Sequence, residues 1–227
     1  MKKIFNTFNI IYLLLIITTL IGDIFYILDT QLWVKALASA SFVGIGVVSL
    51  VYTKIHKLPN LSFAITMVIG LTFAMLGDIV LNLEFMIGAI LFAVGHIIYF
   101  IAYCILCRFK WTDLIAGGII SLASVLVILF IPVFTFSASM KILILIYAIV
   151  ISFMLGKSLS NLIRERNLIN LIIFIGSLLF FFSDLMLLFD NFSNLNLHNV
   201  FGLLCLASYY PAEILLALSP SLQKKAE

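Results

Sequence analysis

The sequence predicts an all-α, polytopic integral membrane protein of eight transmembrane helices with both termini cytoplasmic, and three observations carry that prediction. The first is composition: 64% of the 227 residues are hydrophobic and 10% charged, with a mean hydropathy of +1.28, far from the balance of a soluble domain. The second is length: apolar runs of about 20 residues, enough for one helical span each, follow one another almost without interruption. The third is where the cations fall. Lys2, Lys3, Lys54, Lys57, Arg108, Lys110, Lys157, Arg164, Arg166, Lys224 and Lys225 collect on one side of the predicted spans, and Lys35 and Lys141 on the other. Short cytoplasmic loops hold the Lys and Arg, so the richer side faces the cytoplasm. The net charge of +3 is therefore a topology signal and not the basic face of a nucleic-acid binder, and residues 1–227 read as a single transmembrane domain.

The N-terminal MKKIFNTFNIIYLLLIITTLIGD has the lysines and apolar run of a signal peptide. It has no small-residue cleavage site and an apolar part long enough to span, so it is expected to be the first helix, over 9–27. The following spans are predicted over 33–52, 61–81, 85–107, 113–132, 140–160, 169–189 and 198–218. Cys104, Cys107 and Cys205 fall inside helices with no loop framework to staple, and all three are expected as buried apolar residues. The Phe180 to Phe182 run suits lipid contact or packed core. A bacterial cell membrane is the expected location, in keeping with an Ile-, Phe-, Asn- and Lys-rich composition.

Three short matches recur near the outer ends of odd-numbered spans: Gly22-Asp23-Ile24, Gly77-Asp78-Ile79 and Ser183-Asp184-Leu185. Each predicted hairpin enters the membrane in the same sense, which is a parallel repeat, unlike the inverted repeats of many secondary transporters. The third hairpin carries Pro132 where its Asp would be.

An ionisable side chain at membrane depth costs roughly 2.5 to 3.5 kcal/mol on insertion scales and marks a candidate site. Asp78 and Asp184 lead the candidates for catalysis. Each follows a small residue that admits a close neighbour, and two carboxyls at one cavity would divide into an acid and a base; the competing role is packing by hydrogen bonds between helices. His96 shares a helix face with Phe92, Tyr99 and Tyr103, and Tyr99 is the expected neighbour to bond it or to line the same cavity. Lys35 is level with Asp23 and either snorkels to the interface, pairs with a carboxylate, Asp23 being one candidate, or meets an anionic head group. Glu213 lies beside Tyr209 and Tyr210, where Pro211 disturbs the local backbone hydrogen bonds. A metal is not expected, because neither H-E-x-x-H nor Cys-rich spacing occurs.

Gly77-Asp78-x-x-Leu81, Phe85-x-x-Gly88-x-x-x-Phe92-x-x-x-His96-x-x-Tyr99, Gly176-x-x-Leu179-Phe180-x-x-Ser183-Asp184 and Tyr209-Tyr210 together resemble the YhhN family, which includes the animal transmembrane lysoplasmalogenases. The chain departs from the family pattern at Lys35-Ala36, where Lys-Pro is usual, and at Glu213, where Gln is usual. The resemblance implies hydrolysis of the vinyl ether bond of a lysoplasmalogen, a single-chain lysophospholipid, to a fatty aldehyde and a glycerophospho-alcohol. It places Asp78, Asp184 and His96 in the chemistry, with Lys35 toward the lipid phosphate and Tyr99, Tyr209, Glu213 and Asp23 around the substrate. Protonating the terminal alkene carbon gives an oxocarbenium ion that water captures, which needs no metal or organic cofactor. The same buried groups would also suit a proton-coupled transporter or lipid flippase, or a lipid-binding membrane protein without turnover. The implied partners are the lysophospholipid and membrane lipids, with no nucleic acid.

Overall fold

A computed structural model describes the backbone of residues 2–224, with side chains from residue 7 onward; Lys225 and the side chains of Lys2 and Lys3 lie outside the described residues. The described residues form eight helices and no strand: α1 (Lys2–Asp29), α2 (Leu32–Ile55), α3 (Leu61–Val80), α4 (Phe85–Leu106), α5 (Trp111–Phe130), α6 (Ala138–Arg164), α7 (Leu168–Phe192) and α8 (His198–Leu218), followed by a 3-10 turn, Ser219–Leu222. All eight are long and apolar enough to cross a membrane. Exposed Trp33 and Trp111 begin α2 and α5 at opposite ends of the bundle, as in the aromatic belts of membrane interfaces.

Local chemistry sets the ends. Glu84 caps α4 by accepting from the N–H groups of Met86 and Ile87 at 3.3 and 2.6 Å, and Ser137 and Asn167 cap α6 and α7 in the same way, satisfying donors that the first turn of a helix leaves free. The α3–α4 turn is closed by the Asn82 side-chain amide donating to Asp78 O at 2.8 Å. Helix α8 continues through Pro211.

The helices pack most closely in consecutive hairpins, α1 with α2, α3 with α4, α5 with α6 and α7 with α8. In three of these the small residue before the repeated Asp meets the partner helix. A Cβ on Gly22 would lie 2.9 Å from Ala38 Cβ, and one on Gly77 would lie 2.9 Å from the Phe92 ring; Ser183 Oγ donates to Cys205 O at 2.9 Å. The core lies among α2, α3, α4, α7 and α8, with Phe42, Phe63, Tyr99, Tyr103, Phe180 and Tyr210 at 0% exposure. Helices α1 and α5 are peripheral and mostly exposed along their length, and among the described residues α5 leans on α6 alone.

Two expectations change. Helix α6 extends past residue 160 because its polar last turns face inward. Lys157, counted above with the loop cations, is fully buried and donates to Asp113 Oδ2 at 2.7 Å and to Cys107 O at 2.8 Å. Ser160 and Arg164 also bond Asp113, so this cluster ties the α4–α5 loop to α6. Of the cysteines, Cys107 and Cys205 are buried but Cys104 only partly so.

Close backbone approach matters at Gly70, where an added Cβ would lie 2.5 Å from the Tyr99 ring. Gly70→Ala is expected to destabilise the fold by about 1–3 kcal/mol, as overpacking does, read as a lower thermal unfolding midpoint in detergent.

Candidate active site

The candidate residues gather in two polar clusters separated by an aromatic partition. In the first, Lys35 Nζ lies 2.9 Å from Asp78 Oδ1, both side chains being about 5% exposed. Ser39, one turn along from Lys35 on the same face of α2, donates to Asp78 Oδ2, and Tyr210 Oη donates to that oxygen at 3.0 Å. Both oxygens of Asp78 are thus occupied. The Lys35 ammonium also sits 4.9 Å from the centroid of the Tyr26 ring, a cation–π contact. Lys35 therefore neither reaches the interface nor pairs with Asp23, as the level placement of the two had suggested. It turns inward because a buried carboxylate on the neighbouring helix needs a counter-charge. Asp23 is buried nearby with Oδ1 unpartnered.

In the second cluster, Asp184 Oδ2 accepts from Tyr147 Oη at 2.7 Å. His96 Nε2 lies 3.2 Å from the same oxygen and 2.8 Å from Tyr147 Oη. Tyr147 donates its O–H to Asp184, so an Nε2–H tautomer of His96 satisfies the remaining contacts and leaves Nδ1 a bare lone pair; that atom is buried and has no partner. Asp184 Oδ1 makes no hydrogen bond among the described residues. Of the two roles expected for Tyr99, bonding His96 or lining the same cavity, the bond is not formed, since Tyr99 Oη donates instead to Glu213 Oε2 at 2.8 Å. Glu213 is fully buried and its Oε1 has no partner.

Phe92, Phe180 and Tyr209 form the partition. Phe180 packs edge-to-face on His96 at 4.7 Å, on Tyr209 at 5.3 Å and on Phe92 at 6.0 Å between centroids. On its other side Tyr209 meets Phe42 and Tyr210. The two carboxyls weighed as an acid and base pair do not face one cavity: Asp184 lines a cavity of about 570 Å³ among α4, α5, α6 and α7, and Asp78 does not. That volume lies within the range of roughly 300–1,000 Å³ usual for small-molecule sites. The wall is almost wholly apolar, with Ser124, Tyr147 and Asp184 as its polar side chains.

At the end of the bundle where α7 stops, the α5–α6 and α7–α8 loops clasp each other. Thr135 N–H donates to Phe192 O and Asn194 N–H to Val133 O, both at 2.9 Å, and the Phe85, Phe134, Phe136, Phe189 and Phe192 rings cluster over the cavity. Among the described residues the backbone of α5 packs on neither α4 nor α7, both of which also line the cavity. Ile119 and Ile131 line the cavity yet are 66% and 38% exposed, so the cavity is open beside α5, on the apolar flank of the bundle.

Sequence reasoning missed Tyr147, Ser39 and the Asp113–Lys157 pair. Ser39 was findable as a hydroxyl four residues beyond Lys35. Tyr147 is a lone hydroxyl in an apolar run, and such a residue also suits a membrane interface.

An all-helical bundle of membrane-spanning length, with a hydrogen-bonded carboxyl in the wall of an apolar cavity, defines a polytopic membrane protein with an internal polar site. The chain belongs to the YhhN family, whose model matches residues 30–220 of the 227. No curated protein and no solved structure matches it. The matched residues hold both clusters except Asp23 and Tyr26, which α1 supplies.

Proposed function

We propose that the protein is an integral-membrane ether hydrolase that cleaves the vinyl ether bond of single-chain lysophospholipids, releasing a fatty aldehyde and a glycerophospho-alcohol. The observation that carries this reading is Asp184. Among the described residues it is the carboxyl in the wall of a hydrocarbon-lined cavity, held through one oxygen by His96 and Tyr147 while the other is left free. Family membership supports it.

The chemistry follows from that geometry. Protonated Asp184 delivers its proton through Oδ1 to the alkene carbon remote from the ether oxygen, and an oxocarbenium ion forms. The carboxylate left behind stabilises that cation and then accepts a proton from the water that attacks it. The hemiacetal collapses to aldehyde and alcohol, so one water is consumed and Asp184 regains its proton. His96 and Tyr147 keep the acid oriented, and one carboxyl serves in both steps. Asp78, neutralised by Lys35, binds α2, α3 and α8 together.

The deciding experiment is aldehyde release from a 1-alkenyl lysophospholipid by the purified protein in detergent. Turnover is expected; no release from folded protein across several head groups would sink the hydrolase. A proton-coupled carrier draws its one specific support from Asp23, whose free oxygen lies beside the Lys35–Asp78 pair. It would show instead as substrate-dependent proton movement in sealed vesicles without consumption of lipid.

A further inference from the structure

We propose that the site takes neutral single-chain enol ethers, of which a 1-alkenylglycerol is the simplest, as readily as the phosphate-bearing forms. The inference rests on the hydrolase reading and concerns what the same cavity recognises. The described residues that line it include no Lys, Arg or His. A phosphate brought into it would meet a carboxyl group and a hydrocarbon wall, and burial without a counter-charge is unfavourable.

The cations nearest in the fold do not supply the missing charge. Lys35 is committed to Asp78 and to the Tyr26 ring, is 5% exposed and does not line the cavity. Lys141, at the start of α6, is exposed to the surroundings, where an ion pair adds little. What the cavity does offer is hydrocarbon contact, an opening beside α5 flanked by exposed Ile119 and Ile131, and one acid placed to protonate an alkene. A chain that enters from the membrane through that opening is already out of water, so its apolarity adds no selectivity. The reacting group, an electron-rich carbon–carbon double bond beside an ether oxygen, is the feature Asp184 can read.

The balanced reaction is the same for the neutral lipid. The alkene carbon gains a proton, the oxygen of water bonds to the carbon bearing the ether oxygen, and that carbon's bond to the glycerol oxygen breaks as the oxygen takes a proton. The products are a fatty aldehyde and glycerol.

The test compares a 1-alkenylglycerol with 1-alkenyl lysophosphatidylcholine and lysophosphatidylethanolamine of identical chain, at equal mole fraction in an uncharged detergent, with the full-length protein. A kcat/KM for the neutral lipid within about threefold of the others is expected. A charged hydrogen bond to phosphate would contribute roughly 10- to 150-fold, so a neutral lipid slower by more than about tenfold overturns the inference. Lys141→Gln is expected to leave all three rates unchanged and Lys35→Met to change all three by one common factor; a loss confined to the phospholipids in either variant overturns it as well. Release from the phospholipids alone removes this inference and leaves the hydrolase standing, whereas release from none removes both.

Discussion

Asp184→Asn is expected to lower aldehyde release by about 10²- to 10⁴-fold, the usual worth of a positioned general acid, with the protein still folded. Asn keeps the shape of the carboxyl and an oxygen for Tyr147 and His96, so the hydrogen bonds at 2.7 and 3.2 Å have a partner in the variant. It has no proton to deliver to carbon. The contrast is His96→Gln and Tyr147→Phe, which leave the acid in place and remove only its orientation. Purified variants matched for thermal unfolding in detergent and assayed for aldehyde separate the roles. An Asp184→Asn variant within tenfold of the parent would remove Asp184 from the chemistry.

The second large effect is on stability. Asp78 and Lys35 form an ion pair with both partners about 5% exposed, and removing one partner of such a pair costs roughly 3–5 kcal/mol by leaving the other charge uncompensated. Asp78→Asn and Lys35→Met are each expected to lower the unfolding midpoint sharply. The double variant removes both charges together and should recover most of the loss, since uncharged replacements for a buried pair are often neutral or stabilising. It also isolates the question of Asp78 in catalysis, which neither single variant can do. With Asp78 in a positioning role, the folded double variant keeps aldehyde release within about tenfold of the parent. A loss beyond about a hundredfold would put Asp78 in the reaction.

The helices were legible in the sequence because a membrane span announces itself by length and apolarity, and Asp78, His96 and Asp184 stood out as ionisable groups within such spans. Which partner each would choose was not legible. Asp23 and Asp78 both sit near the same end of the bundle as Lys35, and only the way α2 and α3 face each other gives the ammonium to Asp78. Tyr99 follows His96 by one helical turn, yet α8 brings Glu213 to it while α6 and α7 bring Tyr147 and Asp184 to His96. Periodicity along one helix reports a face, and pairing depends on which neighbour that face meets. Lys157 misled for a related reason. Near the end of a span a lysine reads as a loop charge, and its carboxylate, Asp113, lies 44 residues away.

The opening beside α5 has a last consequence. Where two helices stand apart in a bilayer, acyl chains of surrounding lipid complete the wall, so this protein's interior is finished by its solvent. Micelle size or bilayer thickness then becomes a structural variable, as hydrophobic mismatch acts on tilt and helix association. Helix α5, braced among the described residues by α6 alone, is the element through which a thinner or thicker membrane would reshape the chamber beside Asp184.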